Sequence, residues 1–275
     1  MGNKYKFSVL MPVYHKDNPV FFEAALNSVY RSQSTKPNEI VLVVDGPIGD
    51  PLDKVIKNWQ SAYPDILTVV YLVENLGLGE ALAIGLQKCK YDLVARMDSD
   101  DLARGDRFRV QLRAFEIDPN LSICGSNVAE FIDDPLIVSG FRKVPENMKD
   151  IVPFSRWRCP INHPSVMFKR QVVIKVGSYL PMPYFEDYFL WIRCIVGGYS
   201  FLNIQDNLVS MRAGPGQLER RSGFQYARHE LMFFRELKVL KFLSIKDLII
   251  VLPIRIGSRL VPKKVLKIIY WLLRK

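Results

Sequence analysis

The stretch Leu93-Val94-Ala95-Arg96-Met97-Asp98-Ser99-Asp100-Asp101 decides how the rest of the chain is read. Its apolar beginning reads as a buried strand, and it runs straight into three carboxylates within four residues. An ionised carboxylate buried without a partner costs several kcal/mol. Such a strand end therefore either feeds an open cleft or forms a solvated acidic turn capping the next helix. For a cleft, a divalent cation is the natural neutraliser. Oxygen ligands at Asp-x-Asp spacing suit Mg²⁺ or Mn²⁺, which commonly bridge a protein to a diphosphate. The motif is short, and alone it does not choose between the two.

Outward from this stretch, the first ~130 residues alternate strand and helix patterns. Phe7 to Met11 reads as a buried strand stopped by Pro12. Phe21 to Arg31 carries Phe22, Ala25, Leu26 and Val29 at helical spacing. Glu39 to Val44 is a second strand, ended by Asp45-Gly46-Pro47. Asp53 to Ala62 reads as a helix, Leu67 to Leu72 as a third strand, and Gly79 to Lys88 as a third helix. Asp92 to Met97 is the fourth strand. This rhythm predicts an α/β fold with a mainly parallel sheet flanked by helices. Ligands of such sheets bind outside the carboxyl ends of the strands. Tyr14, Asp45, Asn75 and Asp98 each follow a strand end, so topology alone predicts that they line one crevice.

Beyond ~130 the prolines at 135, 145, 153, 160, 164, 181 and 183 break the chain into shorter pieces. Ser165 to Phe168 reads as a strand, and Tyr188 to Gly197 as a helix opened by Glu186-Asp187. Loops of this kind are where a second substrate is expected to bind.

About half of the residues are hydrophobic (49%), which supports a sizeable core and argues against disorder. The four cysteines, Cys89, Cys124, Cys159 and Cys194, contain no Cys-x-x-Cys pair, so a zinc or redox site is not expected. Free thiols suit a reducing cytosol. No secretory signal is visible, and no run approaches the ~18 apolar residues of a membrane span.

The net charge is +10, and all of it lies at one end. Residues 219–275 carry 14 Lys and Arg against 4 Asp and Glu, while the preceding 218 residues balance. In this tail, Leu248 to Leu252 is followed by Pro253, Arg255 and Arg259, and Lys263 to Lys275 adds Tyr270 and Trp271 among Lys and Arg. Pro253, Gly257 and Pro262 are expected to divide it into short segments. Aliphatic residues interleaved with basic ones suit helices lying on an anionic membrane surface. The rival reading is a helix packed on the preceding domain. Nucleic-acid binding is not expected, since no such signature is present.

Several strings occur together in a recognisable order. They are Pro12-Val13-Tyr14, Asp45-Gly46, Asn75-Leu76-Gly77 with Ala81 and Gly85, Asp98-Ser99-Asp100-Asp101, and Glu186-Asp187-Tyr188-Phe189-Leu190-Trp191. The chain resembles a family 2 glycosyltransferase of the GT-A fold. Ala95 to Asp101, Asn162-His163-Pro164 and Glu219-Arg220-Arg221 resemble the bacterial subgroup that builds O-antigen, capsule and exopolysaccharide repeat units. Ala83 departs from the family, where many relatives place Asn.

The resemblance implies an inverting hexosyltransferase. It would use a UDP-sugar donor, Mn²⁺ or Mg²⁺, and a sugar on undecaprenyl diphosphate as acceptor, at the inner face of the cell membrane. Glucose or galactose is the expected hexose. Residues 1–218 would form the catalytic domain, with 1–130 for the nucleotide sugar and 131–218 for the acceptor, and 219–275 the membrane-associating tail.

The donor would be held by Pro12, Val13, Tyr14, Asp45, Asn75, Gly77, Arg96, Asp98 and Ser99. Asp45 would accept from the uracil imide N–H, or simply form a turn before Gly46. Asn75 and Gly77 stand at a helix N-terminus, where anions and caps are both favoured. Asp98 would contact the ribose or sugar, and Asp100 with Asp98 would hold the metal of a DxD motif.

An inverting transfer needs one general base. Asp187 is the candidate and Glu186 the alternative, although either could be a helix cap. The aromatic neighbours Tyr184, Phe185, Tyr188 and Trp191 suggest a sugar-binding surface. His163 is either structural or part of the site. Arg212, Arg220 and Arg221 would grip a diphosphate or remain solvated. The rival functions are a nucleotidyltransferase acting on a sugar phosphate and a non-catalytic membrane-binding module. The first usually carries a Gly-rich basic loop after its first strand, and Pro12-Val13-Tyr14-His15 is not one. The second has no need of Asp98, Asp100 and Asp187 together.

Overall fold

The computed structural model describes residues 5–214 and 223–260. One nine-stranded sheet organises them. Strands β1 (Phe7–Val13), β2 (Glu39–Val44), β3 (Leu67–Tyr71) and β4 (Leu93–Arg96) are parallel and lie in the order β3-β2-β1-β4. Helices α1 (Pro19–Val29), α2 (Asp50–Ala62) and α3 (Leu78–Lys88) connect them. Both faces of these strands are apolar because both are covered. Val9, Met11, Ile40 and Leu42 pack on one side with Phe22, Leu26 and Val29 of α1 and Ile56 and Trp59 of α2. Leu10, Val41 and Val43 pack on the other with Ala81, Leu82 and Leu86 of α3. A fully buried side chain of this size contributes about 1.5–3 kcal/mol. Gly85 lets α3 sit tightly on the sheet. A Cβ there would come within 2.4 Å of Val43 Cγ2 and 2.6 Å of Leu10 Cδ1.

Pro12 does not stop β1. The strand pairs through Pro12 to Val13 with β2, but its pairing with β4 ends at Leu10 opposite Arg96. Proline is tolerated where a strand has a neighbour on one side only.

The second half is more regular than its prolines suggest. It contains β5 (Leu102–Ala103), α4 (Arg107–Ile117), β6 (Leu121–Phe131), β7 (Val138–Arg142), α5 (Met148–Phe154), a 3₁₀ turn at His163–Ser165, β8 (Met167–Lys169), α6 (Arg170–Lys175), α7 (Glu186–Val196) and β9 (Ser200–Arg212). The predicted strand at 165–168 is shifted because its first residue belongs to the 3₁₀ turn. Strand β8 is antiparallel to both β4 and β6, β9 runs parallel to β6, and β5 is antiparallel to β9. The long strands β6 and β9 were hidden in sequence by polar residues. Ser126 and Asn127 of β6 and Asn203 of β9 are buried and bonded to neighbouring backbone or side chains.

Helices α8 (Phe224–Val239) and α9 (Ile245–Leu260) follow. Phe233, Phe234 and Leu237 of α8 pack with Phe185, Tyr188, Phe189 and Ile192 around α7. The expectation of short segments divided by prolines is corrected here, because α9 runs through Pro253. Pro253 and Ile249, the residue one turn earlier, are both exposed, so the lost hydrogen bond faces water. Beyond it, Arg255 and Arg259 both bind the fully buried Glu230 of α8. Lys263 to Lys275, with Tyr270 and Trp271, lie outside the described residues.

Candidate active site

The carboxyl ends of β1, β2 and β4 open on the same edge of the sheet, where the strand order reverses around β1. At β2, Asp45 is buried and its carboxylate accepts from the backbone N–H groups of Leu76 (2.7 Å) and Gly77 (3.0 Å). Asn75 Nδ2 donates to Asp45 O at 3.1 Å. The β2 loop and the entry to α3 are thus one unit. Gly46 makes it possible, with φ +82° and Asn75 N only 2.6 Å from where a Cβ would sit. Pro12 and Val13 lie within β1, where Val13 packs in the core and Pro12 is half-buried.

At β4, the fully buried Arg96 donates from Nη1 to Asp98 Oδ2 (2.6 Å) and from Nη2 to Asp98 Oδ1. Arg96 therefore stands behind Asp98 and positions it, correcting the expectation that its side chain meets the donor. Ser99 Oγ donates to Asp17 Oδ2 at 2.8 Å, and Asp17 also accepts from the Tyr14 backbone N–H at 3.0 Å. These two bonds tie the β1 and β4 loops together. Asp17 was not found in sequence, since it stands in a polar loop and belongs to none of the strings.

The acidic end carries the largest electrostatic tension. Burial pushes Asp100 up to about 6, and the charges of Asp98 and Asp17 add to this. Burial likewise raises Asp17. Asp101 is held well above the usual carboxylate range by burial, then by Asp98 and Asp100. Its Oδ1 accepts from the Arg212 backbone N–H at 2.8 Å, while Oδ2 is buried without a hydrogen bond.

This donor set fits a hard divalent cation. It is all oxygen, its charges repel one another, and Asp100 forms no ion pair with Lys or Arg among the described residues. Among the described residues no group of three or more His, Cys, Asp or Glu side chains is placed to hold a metal ion by itself. Asp98 is engaged by Arg96 and Asp17 by Ser99 and Tyr14, so Asp100 rather than Asp98 is the available ligand. That suits an ion completing its shell with phosphate and water.

Glu186 and Asp187 open α7. A Cβ on Gly79, in the first turn of α3, would lie 3.0 Å from Glu186 Cγ. Glu186 is thus packed against α3, although more than 100 positions separate it from Gly79. Burial pushes Glu186 up to about 7, opposed by the backbone N–H groups of Glu186 and Tyr184. Asp187 accepts from the Tyr188 backbone N–H at 2.7 Å, and the Cys159 thiol donates to it at 3.7 Å. Burial raises the Tyr179 hydroxyl, which also feels the charges of Arg96, Asp187 and Asp98. It bonds His163 Nε2 at 3.0 Å.

The remaining predicted site residues differ in exposure. His163 is buried, and burial followed by Arg96 pushes it well below the usual histidine range, so it supports Tyr179 as a neutral ring. Trp191 is fully buried among core residues with Phe168 and Phe201 near its ring. Phe185 and Tyr188 are buried too, leaving Tyr184 as the exposed member of the expected aromatic surface. The Arg212 guanidinium lies over the Phe21 and Phe131 rings and donates to Ile132 O at 3.0 Å, while its backbone N–H meets Asp101 of the acidic cluster. Arg220 and Arg221 lie outside the described residues.

The sequence profile of glycosyl transferase family 2 matches residues 8–177. The chain belongs to this family. It is 37% identical over 264 residues to the amylovoran biosynthesis glycosyltransferase AmsE of Erwinia amylovora, covering 96% of this chain and 97% of that one. It is 38% identical over 257 residues to the UDP-Gal:alpha-D-GlcNAc-diphosphoundecaprenol beta-1,3-galactosyltransferase of Escherichia coli, covering 94% and 92%. Among solved structures, the mannosyltransferase PcManGT from Pyrobaculum calidifontis, in complex with GDP-Man and Mn²⁺, superposes with a TM-score of 0.66. That match has 17% identity and covers 98% of this glycosyltransferase and 81% of PcManGT. S. aureus TarS 1–349 in complex with UDP-GlcNAc gives a TM-score of 0.63 at 16% identity, covering 84% and 66%. At such identities the likeness is one of fold, and the GT-A architecture expected from the sequence is the one observed.

Proposed function

We propose that this glycosyltransferase moves a hexose from a UDP-sugar, with inversion, to a sugar carried on undecaprenyl diphosphate. The observation that carries this reading is the approach of Glu186 to the first turn of α3, which sets the Glu186–Asp187 pair against the donor-side crevice. The 38% identity to a transferase named for a GlcNAc-diphosphoundecaprenol acceptor supports the acceptor class. In this reading the Asp45–Asn75–Gly77 unit frames the base of the nucleotide, and Asp98, fixed by Arg96, faces the ribose or sugar. Asp100 would hold Mg²⁺ or Mn²⁺, which would offset the charge of the departing diphosphate. Asp187 takes the proton of the acceptor hydroxyl as its oxygen attacks the anomeric carbon and the bond to UDP breaks. The test is transfer from UDP-glucose, UDP-galactose and UDP-N-acetylhexosamines to a synthetic GlcNAc-diphosphate-lipid. Turnover of one UDP-sugar is expected, and none with any of them would sink the reading.

A peripheral position on an anionic membrane fits the same substrate. No helix among the described residues is long and apolar enough to cross a bilayer. Instead α8 and α9 expose Phe224, Leu231, Met232, Val239, Ile245, Ile249, Ile250 and Ile254. Arg228, Arg235, Lys238 and Lys246 are exposed on the same helices, and no acidic side chain is exposed there among those described. Such a surface gains from apolar insertion and from about 1 kcal/mol per basic residue near an anionic leaflet. The triple substitution Ile245→Ser, Ile249→Ser and Ile250→Ser is expected to reduce flotation with anionic vesicles severalfold without unfolding the protein. Equal flotation of variant and parent would reject this face.

A further inference from the structure

We propose that Tyr184 is the platform on which the acceptor sugar stacks beside the Glu186–Asp187 pair. This inference rests on the glycosyl-transfer reading. Of the aromatic residues around the start of α7, Phe185, Tyr188 and Trp191 are buried, whereas Tyr184 is 48% exposed. It stands at φ +71°, in the left-handed region that residues carrying a Cβ rarely adopt. The exposed ring is nonetheless held firmly from behind. It packs against Tyr226 at 5.0 Å and edge-on to His229 at 5.6 Å, both on α8. Tyr226 is itself buried, with the Arg259 guanidinium 4.9 Å from its ring centre. The adjacent Phe185 stacks on Phe233 at 4.8 Å with an interplanar angle of 10°.

A strained, half-exposed and immobilised aromatic ring is a poor device for folding, because it leaves apolar area in water and occupies an unfavourable backbone region. Strain of this kind clusters at binding and active sites. It is a suitable device for binding a pyranose, whose apolar C–H face lies well on the electron-rich face of a ring. The platform stands three residues before Asp187, and the Tyr184 backbone N–H favours the ionised form of Glu186. One turn of chain therefore sets both the ring and a carboxylate of the pair.

The test compares Tyr184→Asn, which tolerates the left-handed backbone but removes the ring, with Tyr184→Phe, which keeps the ring. Steady-state transfer to a synthetic GlcNAc-diphosphate-lipid is measured with whichever UDP-sugar the parent uses. Tyr184→Asn is expected to raise the acceptor KM about tenfold, with the donor KM within about twofold and Tm unchanged or higher. Tyr184→Phe should keep the acceptor KM near that of the parent. An unchanged acceptor KM in Tyr184→Asn, or a fall in Tm with equal rises in both KM values, would make the ring structural and overturn the proposal. A parent protein that turns over no UDP-sugar at all would instead remove the transfer reading on which it rests.

Discussion

Asp187→Asn is expected to lower transfer turnover by about 10²–10⁴-fold, the usual worth of a general base, while UDP-sugar binding stays within a few-fold of the parent. The substitution keeps the shape of the side chain and an oxygen that can still accept from the Tyr188 N–H, the bond that Asp187 Oδ1 makes at 2.7 Å. The start of α7 is also held by packing, with Tyr188 and Phe189 in the aromatic cluster shared with α8. The fold therefore survives and the loss is chemical. Glu186 is the competing base, and pH separates the two. Burial pushes its carboxyl up to about 7. A rate limb rising through pH 7 that vanishes in Glu186→Gln would assign the proton transfer to Glu186. Turnover of Asp187→Asn within a few-fold of the parent would lead to the same conclusion.

Asp100→Ala is expected to reduce transfer by the order of 10²–10³-fold, the scale of several kcal/mol of charge stabilisation, and excess EDTA should inhibit the parent comparably. The same substitution should not cost stability at alkaline pH. The folded Asp100 carboxyl titrates at about 6, above its ordinary value of 3.8. Its stabilising contribution is therefore present at pH below about 4 and is lost as pH rises through about 6, where Asp100 is ionised while buried and while facing the repulsion of Asp98 and Asp17. Above that pH the variant is relieved of this repulsion. Thermal unfolding at pH 8 should show a Tm for Asp100→Ala at or above that of the parent. Added Mn²⁺ should raise the Tm of the parent and leave that of the variant unmoved. Full activity in EDTA, or an equal Mn²⁺ shift in both proteins, would remove Asp100 from the metal site.

Much of the N-terminal half was legible because its physics is local. Apolar runs such as Val41 to Val44, bounded by Asp45-Gly46, can hardly be anything but buried strands. The rule that ligands meet the carboxyl ends of parallel strands then gathered Tyr14, Asp45, Asn75 and Asp98 at one edge. The second half was less legible because β6 and β9 bury polar side chains whose partners come from distant segments. Asn203 bonds to Pro145 O and Pro160 O, and no periodicity announces that.

The sequence by itself determined the α/β class, the acidic strand end, the carboxylate pair at 186–187 and the basic end of the chain. Tertiary structure decided which of these residues are buried and which stay exposed. Trp191, His163 and Arg96 belong to strings shared with the family, yet burial turns them into supports, while Asp17 comes from a loop that no pattern marks and Tyr184 is the one of the four expected aromatics that stays exposed. The reason is that residue type and spacing specify what a side chain can do, whereas exposure and partner choice depend on elements that arrive from far along the chain.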